Sequence, residues 1–140
     1  MVDALNRVRR WLRPQGRLVD IRPTPEPAHL EVRIATQIVS VGDLEDHGAG
    51  SGPRTRHAQA DAALASAMAS GWFVLEERRE FSFLRHADTV VAMRDHVEAT
   101  WKDAGLDEAT LERAAALLRA HSEADLSLRE QVAMSRLRPR

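Results

Sequence analysis

Two stretches of this sequence alternate for longer than an amphipathic helix allows. "WFVLEERREFSFL", residues 72–84, and "DLSLREQVAMSRL", residues 125–137, each carry an apolar pair, a charged middle and a second apolar pair at every other position. Side chains along a strand point to opposite faces with a period of two. The pattern therefore predicts two long strands. In the first, Phe73, Leu75, Phe81 and Phe83 share a face that Glu77 and Arg79 interrupt. In the second, Leu126, Leu128, Val132 and Met134 share one that Glu130 interrupts. Laid antiparallel, the two match pair to pair with the interrupting charges near the centre, as antiparallel neighbours with one solvated face do. An antiparallel pair, 73–83 against 126–137, is the expectation.

The residues between these strands read as helices. Asp88 or Thr89 caps one whose stripe is Val90, Met93, Val97 and Trp101, and Asp107 caps the next, with Leu106 and Leu111 spaced for a hydrophobic staple. Upstream, the alanine-rich "TRHAQADAALASAMASG" predicts a helix stopped by Gly71. The chain opens on a further helix over 3–13, with Leu5, Val8 and Leu12 at helical spacing, Asp3 as N-cap, and Pro14 and Gly16 ending it. "RLVDI" then reads as a short strand closed by Pro23, and the prolines of "PTPEP" forbid regular structure. "HLEVRIATQIVSVGDL" is β-rich with Leu30, Val32 and Ile34 on one face. It is either a hairpin turning near Thr36 or one bent strand, because its centre lacks the glycine or asparagine of a tight turn. "EDHGAGSGPR" reads as a flexible loop.

With 140 residues the chain reads as one domain, 1–140, and 44% apolar with 29% charged residues suits a globular protein. A net charge of −1 supplies no overall field for nucleic acid or an anionic membrane, and neither partner is expected. The absence of cysteine removes disulfides, thiolate zinc sites and a cysteine nucleophile. No apolar run reaches the length of a membrane span, and the first residues lack a secretory core, so the cytoplasm is the expected compartment.

The opening "ALNRVRRWLRPQGRLVDIRP" resembles the region around the fifth strand of class I S-adenosylmethionine-dependent methyltransferases. There a helix ends in a "LRPGG" turn and feeds a central strand. Here the turn is Leu12, Arg13, Pro14, Gln15 and Gly16, with Gln15 in place of the first glycine. The later order (helix, long strand, final strand antiparallel to it) is also similar. The resemblance implies an α/β fold: an incomplete Rossmann-like methyltransferase sheet, fifth strand onward, with a C-terminal antiparallel strand pair, the last strand inserting beside the fifth, and flanking helices. The family's cofactor elements would all precede Met1. The resemblance thus implies a methyltransferase-like domain without the S-adenosylmethionine-binding half, inactive as an isolated chain and completed by a partner chain.

No catalytic, cofactor-binding or metal-binding residue is assigned. "GAGSG", Gly48 to Gly52, looks like the family's glycine-rich loop, with Glu76 and Glu77 at the distance of a ribose-binding acid. Yet the polar "GDLEDH" intervenes where a strand should enter directly, and the two acids fall in mid-strand. S-adenosylmethionine is implied by the resemblance, and none is expected to bind this chain alone; a cofactor site rebuilt on "GAGSG" is the alternative. His47, His57, His86 and His96 form no i, i+4 pair or H-E-x-x-H pattern, so no metal is expected. Ser51 lacks the strand that builds a nucleophile elbow. Arg7, Arg9, Arg10, Arg13 and Arg17 read as a solvated face, and Trp72 and Trp101 as core or interface anchors. A further alternative is a non-enzymatic dimerisation or interaction module. An uncovered edge on "RLVDI" predicts a homodimer, with apolar residues of segment 30–44 in its interface.

Overall fold

The computed structural model describes residues 2–47 and 52–140. Its helices are α1 (Val2–Trp11), α2 (Pro53–Ala69), α3 (Val90–Thr100) and α4 (Glu108–Ala120). Its strands are β1 (Leu18–Pro23), β2 (His29–Ile34), β3 (Gln37–Asp43), β4 (Glu45–Asp46), β5 (Phe73–Ala87), β6 (Ala104–Gly105) and β7 (Asp125–Pro139). The result is a mixed α/β molecule whose described strand pairs are all antiparallel.

β7 is the centre of the main sheet. β5 runs antiparallel along one side of it, from Phe73 opposite Pro139 to Ala87 opposite Leu126. The expected long pair is therefore present. The other side of β7 is shared end to end: β2 pairs with its first residues and β1 with its last, Leu18 opposite Leu137. β3 lies outside β2, closing the five-stranded sheet. The 29–44 segment is thus a hairpin, and Ala35 turns it with φ at 51°. β4 and β6 form a separate two-stranded ladder, so Glu45 and Asp46 are strand rather than loop.

One detail of the alternation differs from its sequence reading. The ladder between β5 and β7 slips by one residue between Leu75 and Glu77, a β-bulge at Glu76. One inserted residue turns everything beyond it to the opposite face. Leu75 lies opposite Leu137, whereas Glu77, Arg79, Phe81 and Phe83 lie opposite Arg136, Met134, Val132 and Glu130 on the other face. The four apolar positions do not share one face. Nor do the interrupting charges meet, since Glu130 is opposite Phe83.

The two faces carry separate cores. On one, α1 and α2 cover Phe73 and Leu137, with Leu64 and Ala67 of α2 and partly buried Leu5, Leu12 and Leu18 packed around them. On the other, Met93 and Val97 of α3 and Ala114 of α4 cover Leu30, Val32, Leu126 and Leu128. The helix ends follow the expected chemistry. Thr89 Oγ1 accepts from Ala92 N and Asp107 from Thr110 N, while Gly71, at φ +71°, ends the turn after α2. Asp3 lies in the first turn of α1 instead of capping it.

The core takes up part of the expected dimer surface and leaves Ile38 exposed on β3. Leu30, Val32, Val41 and Leu44 are all within 7% of full burial inside this chain, so segment 30–44 spends most of its apolar side chains on its own core. The hairpin lies on β7 beyond the end of β1 and does not fold over the outer edge of β1. Val19, Ile21, Phe81 and Phe83 belong to neither core and stay about half exposed. No helix among the described residues is long and apolar enough to cross a membrane.

Candidate functional site

The richest meeting of polar groups lies where β1 and β2 part company on the edge of β7. β1 leaves the ladder at Thr24, whose N–H donates to Gln131 O at 2.8 Å. The prolines carry the chain around to Ala28, whose carbonyl accepts from Leu44 N at 2.8 Å. This detour leaves a gap, and other elements close it. The start of α2 brings Pro53, Arg54 and His57, the β3–β4 connection brings Leu44, β4 brings Asp46, Trp101 follows α3, and Glu130 rises from β7. Arg54 fixes two walls at once: its N–H donates to Asp46 Oδ2 at 3.3 Å and its Nε to Pro25 O at 3.1 Å.

The groups in this gap are shifted in opposite senses. Burial holds the Glu130 carboxyl above its ordinary range, with Arg85 acting weakly against that shift. Burial first, and then the charges of Arg56 and Arg22, lower the His57 imidazole. A carboxyl inclined to keep its proton and a neutral imidazole line one cavity. The enclosed space is about 20 Å³, enough for one ordered water. Organic ligands occupy pockets of roughly 300–1,000 Å³. In this conformation the cavity has room for a water, and for nothing as large as a nucleoside.

The other sequence candidates are placed elsewhere. Of "GAGSG", only Gly52 is described, and Gly48, Ala49, Gly50 and Ser51 lie outside the described residues, as does any serine-centred site there. Gly52 is the buried N-cap of α2, where a Cβ would run into Asp46. Glu76 at the bulge is held by arginines: Arg17 Nε donates to it at 2.6 Å, and Arg136 and Arg138 reach it at 3.4 and 3.5 Å. It serves as the anchor of a bulge, with its oxygens turned to guanidinium groups. His86 contacts Asp125 at 2.9 Å, and His96 contacts Thr100 at 3.2 Å and Trp101 edge-on. Among the described residues no three metal-ligating side chains converge. Arg9, Arg10 and Arg13 line a groove with Pro139 and Arg140 at the end of β7. Trp72 and Trp101 pack against the two cores.

His57, Trp101 and Glu130 were each legible singly, but their meeting was not. They come from elements far apart in sequence, and a hairpin inserted beside β7 brings them together. Compared with protein-family models, curated proteins and solved structures, the chain finds no match.

Proposed function

We propose that this chain is a methyltransferase-like domain of the fifth-strand-onward type, not catalytic alone, working in the cytoplasm in association with a second chain. The observation that supports this reading most is the position of β7, antiparallel between β1 and β5, with the Leu12–Gly16 turn leading from α1 into β1. That is the order and pairing the resemblance implies. Two features stand apart from it: the β2–β3 hairpin bonded to β7, and the absence of a parallel pair among the described strands.

A titration calorimeter tests the reading. The purified chain is expected to give no heat of binding with S-adenosylmethionine at millimolar ligand. Micromolar affinity would overturn it in favour of a cofactor site on this chain.

A second reading, a non-enzymatic association module, is favoured by a specific feature. Val19 and Ile21 stand 49% and 59% exposed on a strand bonded on one side only among the described residues.

A further inference from the structure

The outer edge of β1 has no strand paired with it among the described residues. Thr24 bonds to Gln131, and the same register runs back to Leu18 opposite Leu137. Backbone groups in an antiparallel ladder alternate between bonded and non-bonded pairs. Asp20 and Arg22, two and four residues before Thr24 in even step, therefore turn their N–H and C=O groups toward β7, and Val19 and Ile21 turn theirs outward. Pro23 falls at an outward position, where its missing N–H leaves the β7 ladder intact but takes one donor from the outer edge, so the outward donors are those of Val19 and Ile21. Outward donors and acceptors beside exposed apolar side chains template a further strand.

We propose that a second copy of this chain fills that edge, its β1 pairing antiparallel with this one about a two-fold axis at Ile21. Charge selects the occupant and the register. A two-fold normal to the sheet sets one residue of β1 opposite its own copy. Centring on Asp20 or on Arg22 sets like charges face to face, which destabilises a strand pair. Centring on Val19 sets Asp20 against Leu18 and exposed Ile21 against Arg17, which is already bonded to Glu76. Centring on Ile21 sets Asp20 against the partner's Arg22 and, by symmetry, Arg22 against the partner's Asp20. It also sets Val19 against the partner's Pro23, where the Val19 N–H alone can donate, and Ile21 against its own copy, where both N–H groups can.

The charged pairs in that register extend a network already present. Arg22 Nη2 lies 3.1 Å from Asp20 and 2.8 Å from Asp61 of α2, with the arginine side chain only 14% exposed. Shielding of this kind makes such pairs stronger than fully solvated ones. The apolar residues meanwhile line up on the face that also carries Phe81 and Phe83. This inference deepens the association reading and rests on it, while a cofactor titration bears on the family reading alone.

The full chain settles the point in solution. Light scattering at micromolar concentration is expected to give twice the chain mass. The sequence holds no cysteine, so single cysteines report the register cleanly. Ile21→Cys is expected to oxidise to a covalent dimer. Val19→Cys is not, because the two copies would sit four residues apart, about 13 Å at ~3.3 Å per residue, beyond the roughly 7 Å a disulfide spans. Ile21→Lys, placing like charges on the axis, is expected to raise the dimer dissociation constant about tenfold or more with the thermal unfolding of the monomer unchanged. Four results would overturn the proposal: a monomer throughout, a mass gained only with a different protein, cross-linking of Val19→Cys as ready as that of Ile21→Cys, or a dimer indifferent to Ile21→Lys.

Discussion

Ala35 carries the clearest backbone strain among the described residues. Its φ of 51° lies in the left-handed region, which costs an L-residue with a Cβ roughly 1–2 kcal/mol. The residue accepts that cost because Ile34 and Gln37 are paired on either side of a two-residue turn. Beyond them, Leu30, Val32 and Val41 are fixed in the core. Burial of three branched side chains outweighs one poor backbone angle. Replacing Ala35 with glycine removes the clash but adds freedom to the unfolded chain, so the two effects oppose each other. Ala35→Gly is expected to gain about 0.5–1 kcal/mol of stability in urea titrations, and Ala35→Val to lose at least as much. A neutral or destabilising glycine would mean that the strain relieved is no larger than the cost of the freedom added to the unfolded chain. A second residue-scale feature is set deeper. Arg129 donates through Nε and Nη2 to Glu31 at 3.0 and 2.9 Å, tying β7 to β2 with both partners largely buried. Neither residue stood out in the sequence, because an ion pair across two distant strands leaves no local pattern.

At the scale of elements, the strands were legible in kind and the bulge was not. Alternation over 72–84 gave β5 and its antiparallel partner, since a period of two persists wherever one side of a strand meets a core. A single inserted residue leaves that alternation looking continuous when every other position is apolar on both sides of a charged middle. What marks the bulge is the set of arginines from β7 and the β1 approach that gather on Glu76. Its purpose is visible in the packing. With the extra residue, Phe73 is 2% exposed against α2 while Phe81 turns to the opposite face. Deleting Glu76 would restore an unbroken ladder and force one end of β5 to the wrong side. The loss of Phe73 from its core is expected to cost at least about 3 kcal/mol, read as a fall in the urea midpoint. A deletion variant of wild-type stability would show that the bulge does not set the faces. The hairpin turn was open in the sequence for a related reason: "AT" has no turn signature, and only tertiary packing of its flanks decides for a hairpin.

For the molecule as a whole, the least legible feature is the one that builds the candidate site. The β2–β3 hairpin occupies half of one side of β7, so β1 must end at Pro23 and the chain must detour through its prolines. The gap this leaves is filled by groups from α2, the β3–β4 connection, Trp101 and β7, and composition or periodicity cannot foretell such a meeting. The electrostatics of the gap give it a signature in the stability of the entire fold. Glu130 has a raised pKa in the folded chain, so the folded state holds that proton more tightly than the unfolded one. Its contribution is complete below the unfolded glutamate value, about 4.3, and is lost as pH rises through the raised folded value. His57 runs the other way. Its lowered pKa gives a contribution that is complete above the unfolded value of 6.5 and lost as pH falls through the folded one. Glu130→Gln is therefore expected to be more stable than the parent at neutral pH, the gain closing as pH approaches about 4, where the parent carboxyl is protonated in both states. His57→Gln is expected to soften the parent's loss of stability just below pH 6.5 and to leave the alkaline side unchanged. Urea midpoints measured across this range read both effects. A Glu130→Gln chain weaker than the parent at neutral pH would mean that the carboxylate is held charged by a partner and that burial does not dominate its titration.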